Sequence, residues 1–216
     1  MIDDPEQIST HVTTHFQNLF STNSVLQVDG LVEEVIPNSI SDASNNLLTM
    51  LPTHEEIHNA VFSLNNSSAP GPDGFGAIFF QTYWSIVKED VCKAVLQFFT
   101  DGWLLPNFNS NTIVLIPKVE NVDTVNHYRP IALANFKFKI ITKILADRLA
   151  PIMSTIVSEE QRGFIRGRNI RDCICTISEA INLFQSRSFG GKVAFKVDIS
   201  KAFDTLEWSF LLAVLK

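Results

Sequence analysis

Residues 193–208 read VAFKVDISKAFDTLEW. Val193, Phe195 and Val197 form a β-branched and aromatic run, bounded upstream by Gly190-Gly191, so the pattern predicts a turn and then a strand over Val193–Ile199. Asp198 falls at the strand's C-terminal end. A helix over Thr205–Leu215 follows, with Asp204-x-x-Glu207 suited to its N-terminus. A carboxylate at a strand end, on a rigid element, is a suitable ligand for a divalent cation in phosphoryl transfer, because hard cations take oxygen donors. Taken alone, Asp198 reads better as a turn residue. A strand set among helices makes the class α+β, and the rest of the chain makes it helix-rich.

Upstream, apolar residues recur as Phe136, Ile140, Ile141, Ile144, Leu145, Leu149, Ile152 and Ile156, which predicts a long helix over 135–157. Pro151 kinks it or starts a second one. A helix over Asn169–Phe184 carries Ile170, Cys173, Ile174, Ile177, Ile181 and Phe184 on one face, and both helices are expected to pack near the strand. NTIVLIP (Asn111–Pro117) reads as another strand. Ala77–Val87 and Glu89–Phe99 have helical patterns, stopped by Asp101-Gly102. Thr53-x-x-Glu56 is a capping box ahead of Ile57, Ala60, Val61 and Leu64. Between that helix and the next lies Ala69-Pro70-Gly71-Pro72-Asp73-Gly74, which can only be a shaped loop. Residues 1–50 read as a polar connector with a helix over Glu6–Phe20.

The 216 residues are 45% hydrophobic and 19% charged, enough for a buried core and unlike a disordered tail or coiled coil. No apolar stretch approaches the roughly 20 residues of a membrane span, and the N-terminus has no secretory signal pattern. Net charge is −6, but it is unevenly placed: residues 1–108 carry 2 basic and 13 acidic groups, and residues 118–201 carry 14 basic and 8 acidic. Such a split points to one half facing a polyanion. Cys92, Cys173 and Cys175 form no disulfide framework and read as small buried side chains on amphipathic helices. His54-Glu-Glu-Ile-His58 matches the spacing of a zinc hydrolase helix, but no third ligand follows at a useful distance, and capping with solvation accounts for both histidines.

Four blocks, in order, resemble the reverse transcriptases of non-LTR (LINE-type) retrotransposons, in texture those of plants. They are SAPGPDGF (Ser68–Phe75); IVLIPK with HYRPIALANFKFKIITKILADRL (Ile113–Leu149); SEEQRGFIRGRNIRD (Ser158–Asp172); and FKVDISKAFDTLEW. The resemblance implies an incomplete right-hand polymerase: a linker over 1–50, a fingers region over 51–190, and the start of the palm over 191–216. It implies RNA-directed DNA polymerase chemistry, in which a primer 3′-hydroxyl attacks a dNTP held by two Mg²⁺ ions, with an RNA template and a DNA primer as partners. A nuclear or cytoplasmic location follows from the family, with no membrane partner.

By the same resemblance, Asp198 is one of three catalytic carboxylates and the Ile199 carbonyl a second contact to its metal. Phe203 is the aromatic gate that excludes a ribose 2′-hydroxyl. Lys118 and Arg129 hold the triphosphate, a role that suits a point charge and a bidentate fork. Gln161, Gly163, Phe164, Arg166 and Arg168 follow the template strand, and two arginines beside Gly and Phe suit phosphate neutralisation with base stacking. Ser68 replaces the usual Lys, and Ala134 and Arg162 also depart from the pattern. The Asp-Asp palm motif does not occur in the second half of the chain. The expectation is therefore a truncated chain, the rest of the polyprotein missing and this piece inactive alone. The rival reading is a catalytically silent nucleic-acid-binding remnant.

Overall fold

The structure is a computed structural model that describes residues 3–21, 30–36, 39–184, 186, 189–197 and 201–216. It divides into two compact units, one of residues 39–122 and 126–175, the other of 1–38, 123–125 and 176–216.

The first unit is built on helices. In α3 (Asp42–Thr49), Ser41 caps the N-terminus. In α4 (His54–Ser63), the Thr53 hydroxyl accepts from the Glu56 N–H at 3.1 Å, as the capping box predicts. α5 (Ala77–Thr82) and α6 (Trp84–Asp101) follow, and Gly102 closes α6 in the left-handed conformation with φ 65°. The break between them falls at Tyr83 rather than Lys88. β1 (Asn111–Pro117) and β2 (Tyr128–Ala134) pair antiparallel, Asn111 opposite Ala134 and Pro117 opposite Tyr128. A 3₁₀ turn over Val125–His127 precedes β2. From Ala134 the chain passes directly through Asn135 into α7 (Phe136–Ile156), which runs unbroken past Pro151.

The core lies where α4, α5, α6 and α7 meet. Ile57, Val61, Val95, Phe136, Ile140, Ile141 and Ile144 are essentially without solvent exposure. Phe80 stacks on Phe136 with ring centroids 4.9 Å apart. The apolar faces of α4 and of the first half of α7 are therefore those the 3.6-residue period selects. Cys92 is buried, and burial pushes its thiol pKa up. His58 stacks on Phe62 at 4.4 Å and meets Trp84 edge-on, a packing role for the second histidine of the HEEIH segment.

In the second unit, α1 (Pro5–Phe20) starts on an Asp4 cap and buries Phe16. α2 (Leu31–Val35) and α9 (Trp208–Val214) are short. α8 (Ile170–Phe184) begins in the first unit's residues and ends in the second's. No helix among the described residues is long and apolar enough to cross a membrane.

Three expectations are corrected, and one element is added. Residues 191–197 hold no strand, and Val193, Phe195 and Val197 are exposed; Asp198, Ile199 and Ser200 lie outside the described residues. A strand is a ladder before it is a sequence pattern, and no described residue pairs with 193–197. The last helix starts at Trp208, not Thr205, because residues 201–205 form a turn. Lys201 takes φ 51°, and the Asp204 and Thr205 N–H groups bond back to its carbonyl. Asp204 therefore caps no helix. α8 forms where predicted yet buries no residue: Ile174 and Ile177 are each 59% exposed, Cys175 is exposed and Cys173 half-buried. Lastly, β2 is a strand that residue pattern alone does not announce, because Pro130 interrupts it.

Candidate nucleotide and nucleic-acid interface

The β1–β2 ribbon carries the two cations expected at a triphosphate. Lys118 extends the ladder by one step, its N–H donating to the His127 carbonyl at 2.8 Å. Ile116 pairs with Arg129, so Lys118 and Arg129 are diagonal neighbours in the ribbon, roughly 7–8 Å apart for such positions and within reach of long side chains. The Lys118 ammonium turns over the ribbon's end and donates to the Asn126 carbonyl at 3.0 Å. It lines a shallow hollow of about 500 Å³ with Pro117, Tyr128 and residues 119–122. Arg129 is exposed and has no ion pair among the described residues. Local pairing, rather than long-range packing, brings these two together.

The loop of residues 69–75 is held against the start of α7. Gly74 takes φ 77°, and its N–H returns to the Gly71 carbonyl. Gly71 lies so close to the β2–α7 junction that a Cβ there would be 2.4 Å from the Asn135 nitrogen. Asn135 is 2% exposed, and its amide makes three bonds: Oδ1 accepts from the Asp73 N–H, and Nδ2 donates to the Asn107 and Phe108 carbonyls. Asp73 also forms an ion pair with Lys137 at 3.4 Å, and Lys139 donates to the Ala69 carbonyl. Residue pattern marked the loop but missed Asn135. An Asn just before a helix reads as a cap, yet its side chain makes no cap bond.

Residues 158–168 form a second shaped loop, leaving the C-terminal end of α7. The Arg168 guanidinium gathers four backbone carbonyls: Nη1 donates to Ser158 and to Gln161 at 2.7 Å, and Nη2 donates to Ser154 at 2.9 Å and Val157 at 2.8 Å. Ser154 and Val157 are among the orphan carbonyls that any helix leaves at its C-terminus, where a cation also complements the dipole. Ile165 is buried, while Phe164 is wholly exposed with φ 64°. Gln161 donates to the Gly163 carbonyl at 3.1 Å. Arg166 is exposed, and Arg162 pairs with Asp172 at 3.7 Å. The Glu160 carboxyl is held below its ordinary value, first by its own backbone N–H and then by the Ser158 hydroxyl. Arg168 thus has a structural task that its place in the motif does not reveal.

In the second unit Phe203 is exposed within the turn of residues 201–204. Asp198 and Ile199 lie outside the described residues. Among the described residues, no three His, Cys, Asp or Glu side chains gather as a metal site.

A family model described as reverse transcriptase (RNA-dependent DNA polymerase) matches residues 116–216. Over its whole length the chain is 26% identical to a transposon TX1 uncharacterized 149 kDa protein of Xenopus laevis, covering 16% of that protein. It is 25% identical, over 69% of its own length and 14% of the relative's, to a retrovirus-related Pol polyprotein from type-1 retrotransposable element R2 of Nasonia vitripennis. Over 74% of its length it is 23% identical to a putative 115 kDa protein in type-1 retrotransposable element R1DM of Drosophila melanogaster, covering 16% of that protein. The chain therefore spans a small part of each relative, and none of these comparisons points to a zinc hydrolase.

Proposed function

We propose, from the premise that this chain belongs with the reverse transcriptases of LINE-type (non-LTR) retrotransposons, that residues 51–190 serve as polymerase fingers and 191–216 open the palm. The observation that carries this reading is the match of residues 116–216 to the polymerase family, together with a relative aligned along the whole chain. The reaction is templated nucleotidyl transfer from dNTPs to a primer 3′-hydroxyl on an RNA template. Lys118 and Arg129 hold the triphosphate, an assignment supported by their diagonal placement on one ribbon. Phe164 and Arg166 contact the template, supported by their exposure at the tip of a fixed loop. Phe203 contacts the sugar. Asp198 supplies one carboxylate toward the divalent cations, Mg²⁺ in this reading, which when bound offset the charge of the phosphates.

Binding of a labelled dNTP to the 216-residue chain, with Mg²⁺ present, tests the ribbon. Arg129→Ala should weaken it about 10- to 100-fold, the range for one charge-assisted hydrogen-bonding group, and leave RNA binding unchanged. Equal dNTP affinity in wild type, Lys118→Ala and Arg129→Ala would remove the triphosphate role. In a chain carried on through the remaining polymerase, Asp198→Asn should abolish primer extension, while Phe203→Ala should retain it and accept ribonucleotides.

A further inference from the structure

We infer that Arg168 is a positioning residue, the clamp that holds the 158–168 loop in shape so that the Phe164 ring can stack on a single-stranded nucleic acid, and that it does not itself touch phosphate. This rests on the reading of that segment as a template contact and divides its labour among named residues.

A guanidinium has five N–H donors. The four on Nη1 and Nη2 of Arg168 are aimed at the carbonyls of Ser154, Val157, Ser158 and Gln161. Only the Nε–H remains, and a bidentate grip on phosphate needs two parallel donors on one edge. Arg168 is therefore used up. What it builds is a closed loop whose two ends, Ser158 and Arg168, are bonded to each other and to the last turn of α7. Two further features shape the tip. Ile165 is buried as a plug, and the Arg168 N–H returns to its carbonyl at 3.2 Å. Phe164 is left fully exposed in the left-handed conformation, φ 64°, which a bulky residue rarely adopts without being forced. An aromatic ring held outward at such a cost, with Arg166 exposed two residues on, has the form of a stacking platform beside a phosphate contact. Arg166 has no ion pair among the described residues, unlike Arg162, which is tied to Asp172.

The test measures anisotropy of a labelled single-stranded RNA oligonucleotide with the 216-residue chain at several salt concentrations between about 50 and 200 mM, the span over which phosphate contacts tell. Arg166→Ala should reduce the slope of log affinity against log salt by about 0.7, one single-strand phosphate. Phe164→Ala should weaken binding about 10- to 100-fold with the slope unchanged. Arg168→Lys keeps the charge but has one nitrogen in place of the two that reach four carbonyls; it should weaken binding with the slope unchanged. In a double-mutant cycle, Arg168→Lys should add little once Phe164 is Ala, because its effect passes through that ring. Purely structural damage would add in full, and that result overturns the inference. A slope loss for Arg168→Ala equal to that of Arg166→Ala makes Arg168 a phosphate contact and also overturns it, while the template reading survives. If Arg168→Ala does not fold, the Lys variant and its cycle decide alone. No change in affinity for either Phe164→Ala or Arg166→Ala overturns the template reading itself, and this inference with it.

Discussion

Arg148 meets Glu56 through two parallel bonds, Nε to Oε1 at 2.7 Å and Nη2 to Oε2 at 2.9 Å, while Nη1 donates to the Leu48 and Met50 carbonyls. Its side chain is 11% exposed and lies over the Phe99 ring. One residue thus ties the end of α3, the start of α4 and the middle of α7. The Arg148 hydrogen bonds hold the Glu56 carboxyl below its ordinary 4.5; burial pushes the other way, and the Arg148 charge and the Thr53 N–H add to the lowering. A carboxyl depressed in the folded state contributes stability above its unfolded pKa and loses it as pH falls through the folded one. Stability should therefore fall as pH drops below about 4.5, and Glu56→Gln should flatten that part of the curve. Urea melts of both proteins between pH 3 and 7 check this, and parallel curves would refute it. Arg148→Met should cost on the order of 3 kcal/mol at pH 7, because it leaves a partly buried carboxylate unpaired. The Thr53 cap was legible because it is written within four residues. Neither Arg148 nor Arg168 was: Glu56 stands 92 residues before Arg148, and their other partners are backbone carbonyls, which every residue has.

The 69–75 loop and the β2–α7 junction behave as one element, with Gly71 and Asn135 at their contact. A methyl on Gly71 would strike backbone atoms of Ala134 and Asn135 at 2.4–2.5 Å, and backbone cannot swing aside as a side chain can. Gly71→Ala should therefore cost about 1–3 kcal/mol, in the range of an overpacked core, read as a lowered denaturant midpoint. Gly74→Ala meets open space and is strained only by its positive φ, so it should cost less. A larger loss at Gly74 would contradict the close approach. Asn135→Ala should cost a similar 1–3 kcal/mol by leaving the partly buried Asp73 N–H and two carbonyls without their partner. Composition and order identify the loop from sequence; what it packs against does not follow from them. β1 was legible because NTIVLIP is uninterrupted, and β2 was not, because a proline in the middle of a run argues against a strand. The helical periodicity of α8 fixed its length well. It could not say whether anything buries the apolar face, and among the described residues that face stays largely exposed. Over its described part, residues 193–197, the expected strand failed for the complementary reason: its residues fit a ladder that the described chain does not supply.

At the scale of the whole molecule, the excess of basic groups over 118–201 overstates the charge open to a polyanion. Lys137, Lys143, Arg148 and Arg162 are each engaged with a carboxylate. Arg168 is spent on carbonyls, so the exposed Arg129 and Arg166 carry more of the expected interaction than the count suggests. The ribbon has a consequence of another kind, for how copies of the molecule behave in solution. The Lys118-to-His127 bond sets the alternation, so Leu115–Pro130 and Pro117–Tyr128 are non-hydrogen-bonded pairs whose amide positions face away from the partner strand. A proline stands at one outward position on each strand, and each edge therefore lacks a donor where a neighbouring molecule would dock. Pro130, which disguises β2, thus also guards the ribbon from sticking to itself, and Pro117 does the same for β1. Replacing both with Val should restore the donors and make light scattering rise more steeply with concentration than in the wild type, and matching scattering curves would show that the edges need no guard.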